Sequence, residues 1–327
     1  MAAFNQLQCQ SRAGNTGIGR CTQSNAVEVG LFLIPKGSVI TAANAADLKT
    51  FIAGKVHATL YAERWHPIGN FVEVTPQDSE ETMTEYADGS QTVNRDAYYR
   101  TRYRHTKGDC FHASLVAFNG RENEFDVIAV DKMGRLIVVN KNNLTTGVPE
   151  LGGQAVSRLK APNKGKATFA DAGTYYFDVD YADATEYNEQ YATLQAQDSF
   201  GKNFNPLKWG QDNAVQDVII QNTSTLVAGV VTLLFGTGCG QSSLGTIYAL
   251  TAAMLTAKNK ATGAAITITS LVASPAGAGQ YVLTMDTGDA DYPTSGNVLT
   301  IEMKDVATLA GIGPAWFESN ILSLKVA

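Results

Sequence analysis

Residues 78–106 contain the feature that most limits how this chain can fold. The first half of this stretch is acidic and has no basic residue; its acids are Asp78, Glu80, Glu81, Glu85 and Asp88. The second half alternates tyrosine and threonine with Arg100, Arg102 and Arg104, and a turn-forming Asp-Gly-Ser lies between the halves. Because tyrosine, threonine and valine favour strands, residues 71–106 are predicted to form a long hairpin with little aliphatic surface to bury.

The two faces of the returning strand differ in chemistry. Strand periodicity places four residues on one face, namely Tyr98, Arg100, Arg102 and Arg104. The opposite face carries Tyr99, Thr101, Tyr103 and His105. Neither face is a conventional aliphatic core face, and an isolated hairpin of this kind is marginally stable. Cross-strand acid–base pairs add roughly 0.2–1 kcal/mol each. We therefore expect the hairpin edges to pair with copies in neighbouring subunits, with Tyr98 and the three arginines at that contact.

Charge divides the 327-residue chain into two segments near residue 212. Residues 1–212 hold 45 charged side chains, and residues 213–327 hold only 11. Both segments are predicted to be mainly β. The second has short alternating runs between turn residues, which is typical of an immunoglobulin-like β-sandwich, with a helical piece at 247–258. In the first we predict, besides the hairpin, an N-terminal arm at 1–25, a flanking helix at 44–57 and a long glycine-rich loop at 140–173.

Composition argues against two classes of partner. The net charge of -6 does not suit a protein that wraps nucleic acid by neutralising phosphates. The apolar runs, such as 224–236, are too short for a membrane span, and residues 1–17 lack the basic and apolar regions of a signal peptide. We therefore expect a protein made in a cytoplasm, or in a particle assembled there, with no membrane partner.

Three short motifs are candidate sites of chemistry. The glycine-rich run at 14–21 has no strand before it and no helix after it, which favours an arm over a phosphate-binding loop. Cys110 and His112 are predicted to share one face of a strand, but no third ligand or orienting carboxylate stands at a suitable spacing. The acidic turn at 286–293 lacks the glycine and glutamate of a calcium loop, so a polar turn is favoured over a weak calcium site.

The other reactive side chains form no recognisable constellation. The four cysteines, Cys9, Cys21, Cys110 and Cys239, have no metal-ligand spacing and are interpreted as thiols, with a bridge between the first two as the alternative. No nucleophile elbow or distinct carboxylate pair is present. The sequence therefore predicts a protein that is not an enzyme and that has no cofactor, no catalytic residue and no metal site.

The predicted elements resemble the tail tube proteins of long-tailed bacteriophages. The matching features are the helix at 44–57, the hairpin at 71–106 and the strands "FDVIAVD" and "YYFDVDYAD", within residues 1–212. The segment 213–327 resembles the immunoglobulin-like domains often appended to phage tail and capsid proteins. Its runs "ATGAAITITS" and "NVLTIEM" are similar to sequences from phages of Bacteroidetes bacteria.

The resemblance implies a structural virion protein. In that family a β-sandwich or barrel with one flanking helix projects a long hairpin, hexameric rings form, and the rings stack into a tube through which DNA is ejected without specific binding. The acids of the hairpin (Asp78, Glu80, Glu81, Glu85 and Asp88) would line the lumen. The implied partners are further copies of the chain, other tail proteins and the passing DNA, in a virion tail assembled in the bacterial host cytoplasm.

Two alternatives remain open at this point. The first is a head decoration or minor tail protein in which the hairpin is a docking arm. The second is a carbohydrate-binding surface module built on residues 213–327, which would need exposed aromatic side chains. The aromatic residues available there include Tyr248, Tyr281, Tyr292, Trp316 and Phe317.

Overall fold

The computed structural model is mainly β, with 46% of residues in strands, and it includes one half-barrel. The described residues are 27–69, 71–79, 82–86, 88, 90–95, 98–141, 150–165, 173–183, 186, 191–237, 242–243, 249–274, 279–312 and 316–327. The chain separates into two compact units between Ala214 and Val215, close to the change in charge density. The glycine-rich run at 14–21 and the arm predicted at 1–25 lie outside the described residues.

The first unit combines one large sheet with four helices among its described residues. The helices are α1 (Ala42–Ala46), α2 (Leu48–Val56), α3 (Asp109–Val116) and α4 (Pro206–Asp212). The strands are β1 (Glu28–Pro35), β2 (Val39–Ile40), β3 (His66–Gly69), β4 (Glu73–Pro76), β5 (Thr82–Glu85), β6 (Gln91–Arg95), β7 (Tyr99–His105), β8 (Phe125–Asp131), β9 (Arg135–Asn140), β10 (Leu151–Gly152), β11 (Gln154–Lys160), β12 (Tyr175–Tyr181) and β13 (Tyr191–Gln195).

Strand β8 is the centre of this sheet and is buried along its whole length. It pairs with β1 on one edge, while β9 and β11 share its other edge. The order then runs through β11, β12 and β7 to β4, with β13 beside β9 and β3 beside β1. A strand buried on both faces is usually rich in apolar residues. The β8 sequence FDVIAVD supplies four in its centre, and its two buried aspartates accept hydrogen bonds, Asp126 from the Gly37 N–H and Asp131 from the Arg135 N–H.

Side chains of β1 and β8 contribute to two separate hydrophobic cores. Phe32 and Ile128 face a cluster that includes the buried side of α2 and Leu207 of α4. Leu33 and Val127 face a second cluster, which includes residues of α3, β7, β11 and β12. Since successive side chains of a strand point to opposite faces, one central pair of strands supports both layers. The charged outer half of the sheet is thereby anchored to the most buried part of the unit.

The flanking helix predicted at 44–57 is two helices. Thr41 caps α1 by accepting the Asn44 N–H, and Asp47 caps α2 by accepting the Thr50 N–H. Asp47 breaks the helix because it adopts a non-helical backbone conformation and uses its side chain as an N-cap. The apolar spacing still identifies the packed face, since Leu48, Ile52 and Val56 are buried.

The hairpin of β8 and β9 has its turn at residues 132–134. The loop predicted at 140–173 is wrong for residues 151–160, which form β10 and β11. A β-bulge between Val156 and Arg158 interrupts the pairing of β11 with β12. The bulge disturbs the two-residue alternation by which a strand is recognised in a sequence.

The second unit has two sheets around one core. Its described strands are β14 (Gln216–Asn222), β15 (Val230–Thr237), β16 (Ser242–Ser243), β17 (Leu255–Asn259), β18 (Ala265–Ile266), β19 (Ile268–Ala273), β20 (Gln280–Met285), β21 (Val298–Met303), β22 (Phe317–Ser319) and β23 (Leu322–Lys325), with the helix α5 (Val306–Ile312). One sheet has the order β19-β20-β15-β14-β22, and the other β18-β17-β21-β23. Inward residues of both sheets, such as Phe235 and Ile301, share one cluster.

The helical piece predicted at 247–258 is wrong over its described residues, 249–258. A 3-10 turn at Ala252–Met254 leads directly into β17. Leu255 and Ala257 are buried while Thr256 between them is half-buried, so the apolar period here is that of a strand. Among the described residues no helix is long and apolar enough to cross a membrane.

Two facing glycines allow α4 to dock on β1 and β3. Gly30 pairs with Gly69, and a Cβ atom added at Gly30 would lie 2.4 Å from Leu207 Cδ2 and 2.7 Å from the Ile68 carbonyl oxygen. The absence of both side chains is what lets Leu207 enter the core.

We predict that Gly30→Ala lowers the free energy of unfolding by about 2–3 kcal/mol, because the Ile68 backbone cannot yield to the added methyl group. Gly54→Ala is the matched control, since a Cβ at this exposed helical position meets nothing within 4 Å. The control is expected to raise stability by about 0.5–1 kcal/mol. Urea unfolding followed by circular dichroism measures both; equal effects of the two substitutions would contradict the packing argument.

Candidate functional site: a hairpin arm on a charged sheet face

The predicted hairpin at 71–106 is present as one long pairing. Strand β4 pairs with β7, the bridge from Ser79 to Tyr98 continues the register, and β5 pairs with β6. Partners run from Glu73 opposite Arg104 to Glu85 opposite Gln91. We call residues 79–98 the arm. Its first strand carries the acids and its second leads back into β7.

The arm ends in a turn held by Asp88. Asp88 Oδ1 accepts the Ser90 backbone N–H at 2.9 Å and the Ser90 hydroxyl at 2.7 Å. These two hydrogen bonds lower the pKa of Asp88. Tyr86 donates its backbone N–H to the Ser90 carbonyl at 2.8 Å and closes the turn. Asp88 therefore fixes the tip and keeps a full negative charge there.

The arm presents strand edges that no other described strand covers. Strands β5 and β6 form a two-stranded sheet of their own, and β4 is the last strand on its side of the large sheet. Met83 and Tyr86 are about half exposed on the arm. Unpaired backbone donors and acceptors on such edges are a ready template for pairing with another chain.

Strand β7 has the two faces that the sequence predicts. Thr101, Tyr103 and His105 are buried, and the side chains between them point outward. The inward tyrosine takes the place of an aliphatic residue: Tyr103 packs on Phe71 with ring centroids 4.8 Å apart. Its hydroxyl donates to Glu28 Oε2 at 2.6 Å. Burial raises the pKa of both Tyr103 and Glu28.

The outward face carries rows of alternating charge across three strands. In one row Asp180 of β12 lies between Arg158 of β11 and Arg100 of β7; in the next, Asp178 lies between Lys160 and Arg102. A third, acid–base pair joins Arg104 to Glu73 of β4 at 3.1 Å. We call these rows the charged face.

Both β7 arginines in the rows form bidentate ion pairs. Arg100 Nε and Nη2 lie 2.6 and 2.8 Å from the two oxygens of Asp180, and Arg102 meets Asp178 at 2.7 and 2.8 Å. Tyrosine rings also lie under the guanidinium groups: Tyr98 is 4.9 Å from Arg100, and Tyr176 is 5.0 Å from Arg102. Paired geometry of this kind is directional, so it fixes the side chains as well as neutralising charge.

The structure places the predicted site residues in different surroundings. Asp78 is exposed and accepts the Arg100 backbone N–H at 3.0 Å, and Asp88 holds the tip. Glu80 and Glu81 lie outside the described residues, and Glu85 is described only as a residue of β5. Tyr98, Arg100, Arg102 and Arg104 share the outward side of the hairpin base, where the arginines pair with acids of their own chain. The assignments to a lumen and to a subunit contact stay predictions.

Asp178 and Asp180 are the partners that sequence reasoning missed. They lie about 80 residues from their arginines, so no local spacing could pair them. The signal that could have found them is the run Asp-Val-Asp within β12, whose alternation matches that of Arg-Thr-Arg in β7. Arg158 and Lys160 were missed because their strand was interpreted as loop.

His105 and His112 belong to a buried aromatic cluster. Cys110 and His112 lie on the helix α3, so the strand predicted for them is wrong: Gly108 ends the extended chain and α3 begins at Asp109. His105 stacks on Tyr175 at 5.1 Å, and Phe111 meets it edge-on at 4.9 Å. Neither ring nitrogen of His105 has a hydrogen-bond partner among the described residues. Burial, with His112 and Lys107 nearby, lowers its pKa to about 4.

The reactive motifs contain no described metal site. Cys110 is disulfide-bonded, so the interpretation of this residue as a thiol is wrong, and its sulfur supplies neither a nucleophile nor a metal ligand. In the acidic turn Asp286 accepts the Gly288 N–H and Asp289 accepts those of Asp291 and Thr267, as in a polar turn. The described part of the chain holds no group of three or more potential metal ligands.

No protein-family model matches the chain, and no curated protein matches its sequence.

We predict that a double-mutant cycle on Arg102 and Asp178, with both changed to alanine, gives a coupling free energy of about 1–3 kcal/mol, since Asp178 is only 7% exposed. The matched cycle on Arg104 and Glu73 is expected to give less than about 1 kcal/mol, because these side chains are 38% and 54% exposed. Urea unfolding of the wild type and the six variants measures both. A larger coupling free energy in the second cycle would contradict the view that the bidentate ion pairs stabilise the sheet more than the exposed pair does.

We also predict that acid destabilises the first unit through His105. Between the usual histidine pKa of about 6.5 and the lowered value of about 4, the unfolded chain binds a proton that the folded protein excludes. Stability is therefore lost as the pH falls through this window, by at most roughly 3 kcal/mol. His105→Phe keeps the ring stacking and should shrink the difference in urea midpoint between pH 7.5 and pH 4.5. An unchanged difference would rule out His105 as a source.

Proposed function

We propose that this protein is a structural subunit that assembles through its hairpin arm into rings, as in a phage tail tube. The observation that carries the proposal is the arm itself, a two-stranded ribbon that extends the β4–β7 pairing and has uncovered edges. An isolated ribbon of this length is marginally stable in water. Pairing its edges with the arms of neighbouring copies supplies the missing hydrogen bonds.

Closure into a ring follows from the number of edges. Each arm has one edge on its acidic strand and one on its returning strand, so each copy can accept a neighbour on both sides. A chain of such contacts that closes on itself leaves no edge exposed. The resulting channel would be lined by the arms, with the acids Asp78, Glu80, Glu81, Glu85 and Asp88 turned to its interior. A negative lining lets DNA pass because it repels the phosphate backbone.

The way the arm is anchored supports a structural role of this kind. Its returning strand continues into β7, whose arginines are held by Asp178 and Asp180 and whose Tyr103 reaches into the core. An arm that only docked loosely to a partner would need no such base. In this proposal the second unit decorates the outside of the tube, and the protein has no catalytic activity, cofactor or membrane partner.

The aromatic residues of the second unit favour this function over glycan binding. Tyr281 and Phe317 are buried in its core, and Tyr292 and Trp316 are half-buried. The exposed large hydrophobic residues described in this unit are aliphatic, for example Val272 and Ile321. A sugar-binding face normally offers exposed aromatic rings for stacking, and the described residues offer none.

We predict that removing the arm abolishes assembly and leaves the fold intact. Ser79 and Tyr98 are paired opposite each other, so an Asn-Gly turn can replace residues 80–97 without disturbing β4 or β7. Negative-stain electron microscopy of the concentrated full-length protein is expected to show rings or tubes with a central bore, and the shortened protein is expected to stay monomeric.

Thermal unfolding supplies the control for this comparison, since both proteins should unfold at similar temperatures. Full-length protein that remains monomeric at every concentration, also with other tail components present, would overturn the proposal. Rings of the shortened protein equal to those of the full-length chain would show that the arm is not the assembling element.

A further inference from the structure

The charged face carries more positive than negative charge. Five basic side chains stand against three acids, giving an excess of two positive charges: Arg100, Arg102, Arg104, Arg158 and Lys160 against Glu73, Asp178 and Asp180. The excess arises because each aspartate lies between two bases and both of its oxygens are taken by the arginine on β7.

The unneutralised bases are on β11. Arg158 reaches Asp180 only at 3.8 Å and its side chain is 45% exposed. Lys160 is exposed, stands opposite Asp178 in the register, and forms no ion pair with another described residue. The β-bulge between Val156 and Arg158 aligns both side chains with the aspartates of β12. Two neighbouring cations thus face solvent beside a rigid sheet.

The acidic strand of the hairpin carries an excess of negative charge. From residue 65 to residue 94 the chain contains no lysine or arginine, while residues 78–88 hold five acids. The described acids Asp78 and Asp88 accept backbone hydrogen bonds, but neither forms an ion pair with a described residue. Their charges are therefore not neutralised within the described part of their own chain.

The acidic segment leads away from the charged face of its own chain. Asp78 precedes the Ser79 bridge, and from the level of Arg100 to Glu85 the arm extends eight more residues, or roughly 26 Å at the rise of a strand. A carboxylate near the tip thus lies far along the strand direction from Arg158 and Lys160. A second copy placed beside the first brings the two opposite charges together.

We propose that the charged face, through Arg158 and Lys160, is the docking surface for the acidic segment 78–88 of a second copy of this chain. This inference rests on the proposed ring assembly and names the surface that selects and orients the neighbour. Because successive side chains of a strand point to opposite sides, the acidic strand can offer some carboxylates to the neighbour and others to the bore. Complementary charge of this kind orients partners and speeds their encounter.

The test uses charge reversal in the full-length protein. Arg158→Glu combined with Lys160→Glu places two acids opposite the acidic segment. The new carboxylates also stand beside Asp180 and Asp178, so thermal unfolding is measured first, and Arg158→Gln combined with Lys160→Gln removes the two charges without adding acids. Lys132→Glu combined with Lys202→Glu is the matched control, at two exposed turn positions off the charged face. Sedimentation velocity and electron microscopy, at low and at moderate salt, give the concentration at which half of the protein is assembled.

We expect the reversed face to raise this concentration at least tenfold and the control pair to leave it unchanged. Wild-type assembly should weaken with added salt, because solvent-exposed charges are screened. Mixing the reversed-face protein with a second variant, Glu81→Lys combined with Glu85→Lys, should restore assembly, since the opposite charges then meet again between the two proteins while Asp88 still holds the tip.

Other outcomes separate this inference from the ring proposal. Wild-type and reversed-face proteins that assemble at equal concentrations would overturn the docking surface and leave the rings intact. Wild-type protein that never assembles would overturn both. If the reversal leaves assembly unchanged but abolishes retention of the protein on duplex DNA, the charged face binds a nucleic acid and the inference is wrong.

Discussion

The paired arginines and aspartates of β7 and β12 are the interaction on which the first unit's outer half depends. Strand β7 has no aliphatic side chain, so its outward face offers almost no hydrophobic surface. Two bidentate ion pairs fasten it to β12 instead, while on the inner side Tyr103 reaches Glu28 of β1. Half-buried pairs with good geometry hold the strand in place at a moderate free-energy gain. Without them the arm would extend from a poorly fixed base.

The same ion pairs explain why the charged face has an excess of positive charge. An arginine that donates from Nε and Nη2 to one carboxylate balances its single negative charge, so a second base beside the same carboxylate is left uncompensated. Arg158 and Lys160 are therefore left facing solvent beside acids that are already neutralised. The ion pairs that stabilise the chain therefore also leave a basic surface that a second chain can contact. One set of contacts orders the strand, and the charges it does not use face the solvent.

Local patterns in the sequence were sufficient for the hairpin and for the two faces of β7. The alternation of arginine with threonine and tyrosine sets the faces, and the Asp-Gly-Ser turn sets the tip. The predicted helix at 44–57 failed only where Asp47 caps a second helix. The errors at 151–160 and 247–258 have a shared cause: a bulge in one and a short strand in the other weaken the alternation that a strand shows. The partners Asp178 and Asp180 were beyond reach, since pairing between distant strands is decided by the whole sheet and not by spacing along the chain.

The register of β7 against β12 is set by the buried face of β7 and not by its charged face. The basic residues of β7 and the acidic residues of β12 both repeat every second position, so sliding one strand by two residues would set Arg104 against Asp178 and Arg102 against Asp180. Electrostatics alone would accept that misalignment. The buried side would not, because His105 would take the place of Tyr103 and the carboxyl group of Glu28 would lose its hydroxyl donor. A single buried tyrosine thus selects among alignments that the repeating charges leave equivalent.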